Sequence, residues 1–509
     1  MGTEARLSPL KWAASAAFLA LWLGLLLPSL ERSRLQDVDE LWHACTAQNA
    51  VLGGHWWPLM LDGRPFFEKP PLVPWLAAVT ATVAEAPRAA WPYRIWNVAG
   101  GALLLGSLLG LGILGGSFWG GLFAAAFMGL QGDFVFHCRF FTMDTPFLGL
   151  SFSAVLAMAW ALSPRGRPWG WNLAGLALGL AFWSKSWFVL ALVPGLGAAL
   201  WAAVPVGQRR DAAWRLAWPV LTAVVLWLAL YTSWSGVGFL GQELHGNVLG
   251  RLGRGEVSRW EHGRLYLNWA QKALPAVLVL ALGLGLGLWP RRADLQKGPA
   301  VARFVRVFGW ALSVSWLVGL MIVKDEVINY LLPLEAGLAL CLGLSLADAG
   351  DGWEQGLFAG MLFVAAVAMD RLGPSWAYFA VGGAFGAALF IAKRRTKAAK
   401  PLAWALPLTA MLLLLLQLPD AYGLCRRPLD SHRHLAAVLG ARPAQREGEI
   451  LWAVGLPTRA VDFYSNYQVE HVDTLAQAKR KEAFVYQNED GSVHFHPAKG
   501  DPRPAIKAP

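Results

Sequence analysis

The sequence predicts an all-α polytopic membrane protein with a small α/β unit after its last span, and three observations carry that prediction. Hydrophobic residues fill 56% of the 509 positions and charged residues only 15%, with 28 Trp, whereas an average soluble domain is about a quarter charged. Apolar runs follow one another from Leu10 to about Leu418. The polar remainder, about ninety residues, alternates short apolar segments with polar ones in the manner of a small folded unit.

The first apolar run, Leu10 to Leu30, follows Arg6. It exceeds the apolar core of a secretory signal, about 7 to 15 residues, and no small-x-small cleavage site follows it, so it is expected as a retained helix. A crossing needs about 20 residues at a rise of 1.5 Å each. Applied along the chain, that rule gives about thirteen spans, centred near Ala20, Leu103, Leu122, Leu156, Ala177, Val193, Val224, Val279, Leu312, Leu340, Phe363, Gly383 and Leu412.

Basic residues concentrate in alternate loops: Arg165 and Arg167; Arg209, Arg210 and Arg215; Arg291, Arg292, Lys297, Arg303 and Arg306; Lys393 to Lys400. The positive-inside rule makes these loops cytoplasmic. The acidic loop Asp348 to Glu354 is discordant, but acidic residues weigh little in that rule. The formal charge of +11 therefore orients the chain in a membrane and is no footprint for nucleic acid. An odd number of spans leaves the N-terminus cytoplasmic and the tail on the far side, the periplasm in a bacterium.

The division that follows is a membrane domain over residues 1–418, with long external loops at 31–90 and 234–270, and a C-terminal unit at 419–509. In that unit Glu449 to Gly455, Val469 to Val472 and Phe484 to Tyr486 read as strands. Thr458 to Tyr467 and Thr474 to Glu482 read as helices, and the Pro- and Lys-rich end from Gly500 as disordered. Cys45, Cys138, Cys341 and Cys425 have no metal or redox spacing, which argues for neither a disulfide framework nor a zinc site.

Charged residues near a membrane boundary are costly unless paired, hydrated or used. On this topology the far side collects Asp37, Asp39, Glu40, His43, His55, Asp62, Glu68 and Lys69 from the first loop. Asp133, His137, Arg139, Asp144, Lys185, Lys324, Asp325 and Glu326 join them from later turns. Asp37 to Trp42 opens an amphipathic helix reaching about Leu52, where an acidic residue also serves as a plain helix cap. Arg64 to Trp75 holds Glu68 and Lys69 rigidly ahead of Pro70 and Pro71. An interfacial anchor, with Lys69 snorkelling and Trp75 in the aromatic belt, explains the same residues individually.

Taken together, the acidic pair Asp39-Glu40 and the run Phe67-Glu68-Lys69-Pro70-Pro71 resemble the GT-C superfamily of polyprenyl-phosphate-dependent glycosyltransferases. The likeness is greatest to the aminoarabinose transferase and protein O-mannosyltransferase (ArnT-like, PMT) family. Arg139 to Pro146, Phe182 to Ser186, Asn247 to Leu252 with Tyr266, and Lys324 to Pro333 resemble further stretches of that family. Two positions depart from it: Asn329 stands before Tyr330 where relatives often have His, and Ser186 follows Lys185 where they often have Gly.

The resemblance implies inverting transfer of a sugar from a polyprenyl-phosphate donor to a lipid, glycan or protein acceptor on the periplasmic face of a bacterial inner membrane. It maps the catalytic base onto Asp39, with Glu40 and Glu68 as further catalytic carboxylates. Lys69, Arg139, Lys185 and Arg251 would bind the donor phosphate, and Asp144, Lys324 and Tyr330 would bind substrate or support the site. Asp39, Glu68 and Asp144 leave a divalent cation open. The competing reading, a transporter or lipid flippase, calls for midplane sites and internal repeats; the charges here gather instead at helix ends on one face.

Overall fold

In a computed structural model, the chain is described over residues 9–31, 35, 39–61, 63–129, 131–236, 299–322 and 331–348, and toward its end over 439, 450–454, 461, 463, 468–472, 483–487, 493–496 and 506–508. The expected spans near Val279, Phe363, Gly383 and Leu412 lie outside these residues, as do Asp37, Asp62, Arg251, Lys324 and Tyr330.

Helix α1 (Pro9–Leu26) is apolar apart from Lys11 and Ser15, and Trp22 Nε1 donates to the Gly129 carbonyl at 3.1 Å. After it come α2 (Asp39–Leu52), a short hairpin of β1 (Met60–Leu61) with β2 (Arg64–Pro65), and α3 (Leu72–Val83). Pro70 and Pro71 keep the preceding residues out of a helix and let α3 begin directly behind them. The remaining described helices are α4 (Trp91–Leu114), α5 (Phe118–Gly129), α6 (Gly132–Arg139), α7 (Asp144–Ala161), α8 (Trp169–Lys185), α9 (Val193–Ala203), α10 (Arg209–Ser235), α11 (Ala300–Ile322) and α12 (Leu332–Asp348).

Among the described residues, six helical stretches are long and apolar enough to cross a membrane. Those expected near Ala20, Leu103, Leu156, Val224 and Leu312 fall on five of them. The two expected near Ala177 and Val193 occupy one continuous stretch, Trp169–Ala203, that changes character at Lys185 and Ser186. The spans expected near Leu122 and Leu340 fall on helices of 12 and 17 residues, shorter than the roughly 20 of a full crossing.

Close contacts give the chain directions. Gly100 meets Thr145 and Pro146, and Gly110 meets Leu156, so α4 and α7 run parallel. A Cβ on Gly100 would lie 2.5 Å from the Thr145 backbone, and small residues at such crossings let membrane helices pack backbone to backbone. Helix α5 returns antiparallel along α4, with Gly121 on Gly112 and Gly129 on Leu105. Gly175 and Gly179 of α8 meet Pro219 and Ala223 of α10, so those helices are also parallel. The 3-10 turn Ser186–Leu192 and α9 must therefore carry the chain back between them, which makes 169–203 two opposed passages. Arg303 Nη1 bonds the Ala202 carbonyl at 3.2 Å, and Gly195 meets Leu312, setting α11 against α9.

The bundle consequently has two distinct ends. At one, α4 and α7 begin and α8 and α10 finish, next to the first loop. At the other lie Arg165, Arg167, Arg209, Arg210, Arg215 and Arg303, with Arg209 Nη2 on the Trp201 carbonyl at 2.8 Å.

Toward the C-terminus, β3 (Ile450–Val454), β4 (Gln468–Val472), β5 (Phe484–Gln487), β6 (Val493–His496) and β7 (Ile506–Ala508) form a sheet in the order β4-β3-β5-β6-β7. Strands β4 and β5 run parallel to β3, with Trp452 opposite both Glu470 and Phe484; β6 and β7 continue antiparallel. The three expected strands are present. Val461 and Phe463, in the first expected helix, are helical, and Thr474 to Glu482 lies outside the described residues. The chain end differs from the disorder expected of it: Ile506 pairs with Phe495 as an edge strand, because backbone pairing asks little of side-chain pattern. The sheet packs on the first loop. Leu451, Val485 and Phe495 share a core with Leu41, Ala44, Ala77 and Ala78, and Gln48 Nε2 bonds the Phe463 carbonyl at 3.0 Å.

Candidate active site

The site is built on a buried ion pair. Arg94, in the first turn of α4, donates from Nε to Glu40 Oε1 at 2.7 Å and from Nη2 to Oε2 at 2.9 Å. The two residues are 1% and 0% exposed. Arg94 Nη1 also bonds the Leu30 carbonyl at 2.8 Å, and the Phe141 N–H donates to Glu40 Oε1 at 2.9 Å. Two parallel bonds from a planar guanidinium fix both angle and distance. This single pair ties the end of α1, the start of α2, the top of α4 and the turn before α7.

That turn is held from a second direction. Asn97 Nδ2 donates to the Thr142 carbonyl at 2.8 Å and the His137 carbonyl at 3.4 Å. Beyond the turn, Asp144 opens α7 and forms a buried salt bridge with Lys185, the last residue of α8. A cation there complements the helix C-terminus, and Lys185 Nζ also stands 4.3 Å from the centre of the Phe188 ring. Ser186 follows at φ 55°, a left-handed conformation that glycine adopts at less cost. The departure noted at this position thus sits where the backbone itself favours Gly.

The first-loop motif closes over the same region. Phe66 is buried with its ring 6.1 Å from that of His43. Phe67 packs at 5.5 Å on Tyr231 of α10, whose hydroxyl donates to the Lys69 carbonyl at 2.9 Å. Lys69 is half-buried and Glu68 exposed. Arg139 is half-buried in the last turn of α6.

Asp39 is exposed at the first position of α2. His43 lies one turn further on the same helix face and is 3% exposed. Burial, then the charge of Lys69, pull the imidazole down to about 3, with Lys185 acting in the same sense and Asp144 against it. These charges therefore converge on the face that Asp39 heads.

His43 also makes a pH prediction. Its folded value lies below the 6.5 of the unfolded chain, so the stability gained by keeping it neutral is complete above about pH 6.5 and is lost as pH falls toward 3. Across that window the cost rises by at most about 1.4 kcal/mol per pH unit. Melting temperatures of wild type and His43→Phe in detergent should draw apart as pH drops from 7 to 4.5, with wild type losing more. A constant difference would count against it.

Of the residues expected at the site, Lys69, Asp144 and Lys185 act together on His43, and Asp39 heads the same helix one turn before it, with Arg139 in the helix before the Asp144 turn and Glu68 beside Lys69. Glu40, expected as a catalytic carboxylate, is instead sealed away with both oxygens bonded. Arg94 and Asn97 escaped the sequence reading. An arginine at the head of an apolar segment was the available signal. Among the described residues no group of three or more His, Cys, Asp and Glu is gathered to hold a metal ion.

These features define a multi-pass membrane protein whose polar machinery is concentrated at one end of its bundle, beneath a first loop covered by the C-terminal sheet. Residues 68–235 match the dolichyl-phosphate-mannose-protein mannosyltransferase family. The crystal structure of ArnT from Cupriavidus metallidurans bound to undecaprenyl phosphate superposes with a TM-score of 0.66 at 17% identity, over 95% of this chain and 94% of that one. Its apo form gives 0.64 at 19% identity, over 94% and 93%. At such identity the likeness is one of fold. No curated protein matches the chain in sequence. About a third of the chain thus resembles that family in sequence, and nearly the whole chain is similar to ArnT in fold.

Proposed function

We propose that the chain transfers a sugar, with inversion, from a polyprenyl-phosphate donor to a lipid, glycan or protein acceptor at the membrane face opposite its basic loops, the periplasmic face in a bacterium. The observation that carries this reading is the convergence at one bundle end of an exposed carboxylate, Asp39, with Lys69 and the Asp144–Lys185 pair.

Asp39 accepts the proton of the acceptor hydroxyl, or orients an acceptor phosphate, as its oxygen attacks the anomeric carbon. The bond to the phosphate oxygen breaks from the opposite side, which inverts the centre. The departing polyprenyl phosphate gains negative charge, and fixed cations in a site of low dielectric stabilise it. Lys69, Lys185 and Arg139 are those cations. Lys185 would meet the phosphate beside its salt bridge to Asp144. Glu40 acts through the frame, by holding α2 and the turn before Asp144. Glu68 remains the second exposed carboxylate of the motif, and Arg251, Lys324 and Tyr330 remain candidates on resemblance. The polyprenyl phosphate in the ArnT crystal structure supports the donor class. Basic residues at the far end of the bundle support the orientation. A transporter is not favoured, because the charges sit at helix ends.

The test is to incubate purified protein with radiolabelled undecaprenyl-phosphate sugars and a membrane extract and to identify the product. Label should leave the lipid donor for a single acceptor class. Donors that stay intact under every acceptor supplied would refute the transferase reading.

A further inference from the structure

Resting on that reading, we propose that His43 is a specificity-determining residue that hydrogen-bonds a hydroxyl of the sugar being transferred. Three observations lead there. His43 stands one helical turn from Asp39 on the same face of α2. Its Nδ1 is buried and finds no hydrogen-bond partner among the described residues. Its ring is wedged edge-on between Phe66, at 6.1 Å, and Phe141, at 6.3 Å. The first of these rings immediately precedes the Phe67-to-Pro71 run, and the second belongs to the residue whose N–H bonds Glu40.

A buried polar atom left unbonded is costly, and native proteins seldom tolerate one without a use for it. Packing alone would be served by Phe or Leu in this aromatic slot. The charges around the ring narrow the choice of ligand. Lys69 and Lys185 act against a proton on the imidazole and only Asp144 favours one, so the ring works in its neutral form. A phosphate in this region is met by the ammonium groups. A neutral ring nitrogen beside them suits a group that both donates and accepts, and a sugar hydroxyl does so. A site built to bond such a hydroxyl rejects an analogue lacking it far more strongly than an apolar pocket would.

Three variants separate this role from packing. Asn places its amide near the position of Nδ1, Gln places it near Nε2, and Phe keeps the ring shape with no polar atom. Binding of undecaprenyl phosphate and of a panel of undecaprenyl-phosphate hexoses and pentoses would be measured beside transfer rates and melting temperature. For the sugar that wild type prefers, His43→Phe should weaken binding and lower kcat/KM by about 10- to 100-fold. Affinity for undecaprenyl phosphate should stay unchanged, with no fall in melting temperature at pH 7. His43→Asn should restore more than His43→Gln, and His43→Phe should flatten the preference among sugars.

Equal loss of binding for bare lipid phosphate and sugar donor would overturn the inference, as would an unchanged preference in His43→Phe. Wild type that transfers none of the sugars defeats the glycosyltransferase reading and this inference with it. Active wild type with an indifferent His43→Phe defeats this inference alone.

Discussion

Replacing Asp39 by Asn should reduce sugar transfer by about 10² to 10⁴, the usual worth of a positioned general base, while the protein still folds and binds undecaprenyl phosphate. The substitution removes one negative charge and the capacity to accept a proton, yet keeps size and helix-capping ability. Asp39 is exposed at the start of α2, so no buried contact depends on its charge, and the lost interaction with the helix N-terminus is worth only about 0.3–1 kcal/mol. Melting temperature should therefore move little while turnover collapses. That separation is what marks the carboxylate as chemical. Full activity in Asp39→Asn would remove the base from the proposal, and a large fall in melting temperature would recast Asp39 as structural.

The reasons why some of this was legible in the sequence differ from residue to residue. Asp39, Glu68 and Lys69 stand within thirty residues of one another in a polar loop framed by prolines, and local pattern suffices to single them out. The long apolar helices follow from the length of a membrane crossing, and β3, β4 and β5 follow from short apolar runs between polar ones. Glu40 is buried where Asp39 is exposed, because a neighbour in sequence is not a neighbour on a helix. One residue of advance turns the side chain about 100°, so Asp39 opens outward while Glu40 turns into the bundle. Its partner Arg94 lies 54 positions away, and no local rule finds it. Lys185 and Asp144 were each singled out, but their pairing depends on α7 and α8 running antiparallel. The break in the stretch 169–203 was read as two spans from hydropathy. Its geometry rests on the left-handed backbone of Ser186, at a residue type that does not announce it. The strand β7 carried no signal, since a Pro- and Lys-rich end pairs through its backbone alone.

The second large effect belongs to the frame. Glu40→Ala leaves the Arg94 guanidinium buried without its counter-charge, and breaking a buried pair in this way costs about 3–5 kcal/mol. It also strips the acceptor from the Phe141 N–H and frees the turn leading to Asp144, so both melting temperature and transfer should fall. Exchanging both partners for apolar residues, Glu40→Leu with Arg94→Met, removes the stranded charge. Such replacements of a buried pair are often neutral or stabilising. Stability of the double variant should thus recover most of the loss. Transfer should not recover with it, because neither new side chain can hold the Leu30 carbonyl or the Phe141 N–H, and Asp39 and Asp144 lose their common anchor. Recovery of both properties together would mean that the pair only fills space. Recovery of stability without rate would make Glu40 a positioning residue: it presents its neighbour Asp39 to the acceptor without touching the acceptor itself. The undecaprenyl phosphate affinity of the double variant separates the two halves of the site. If Lys69 is held by Tyr231 through its carbonyl, that affinity should survive better than the rate.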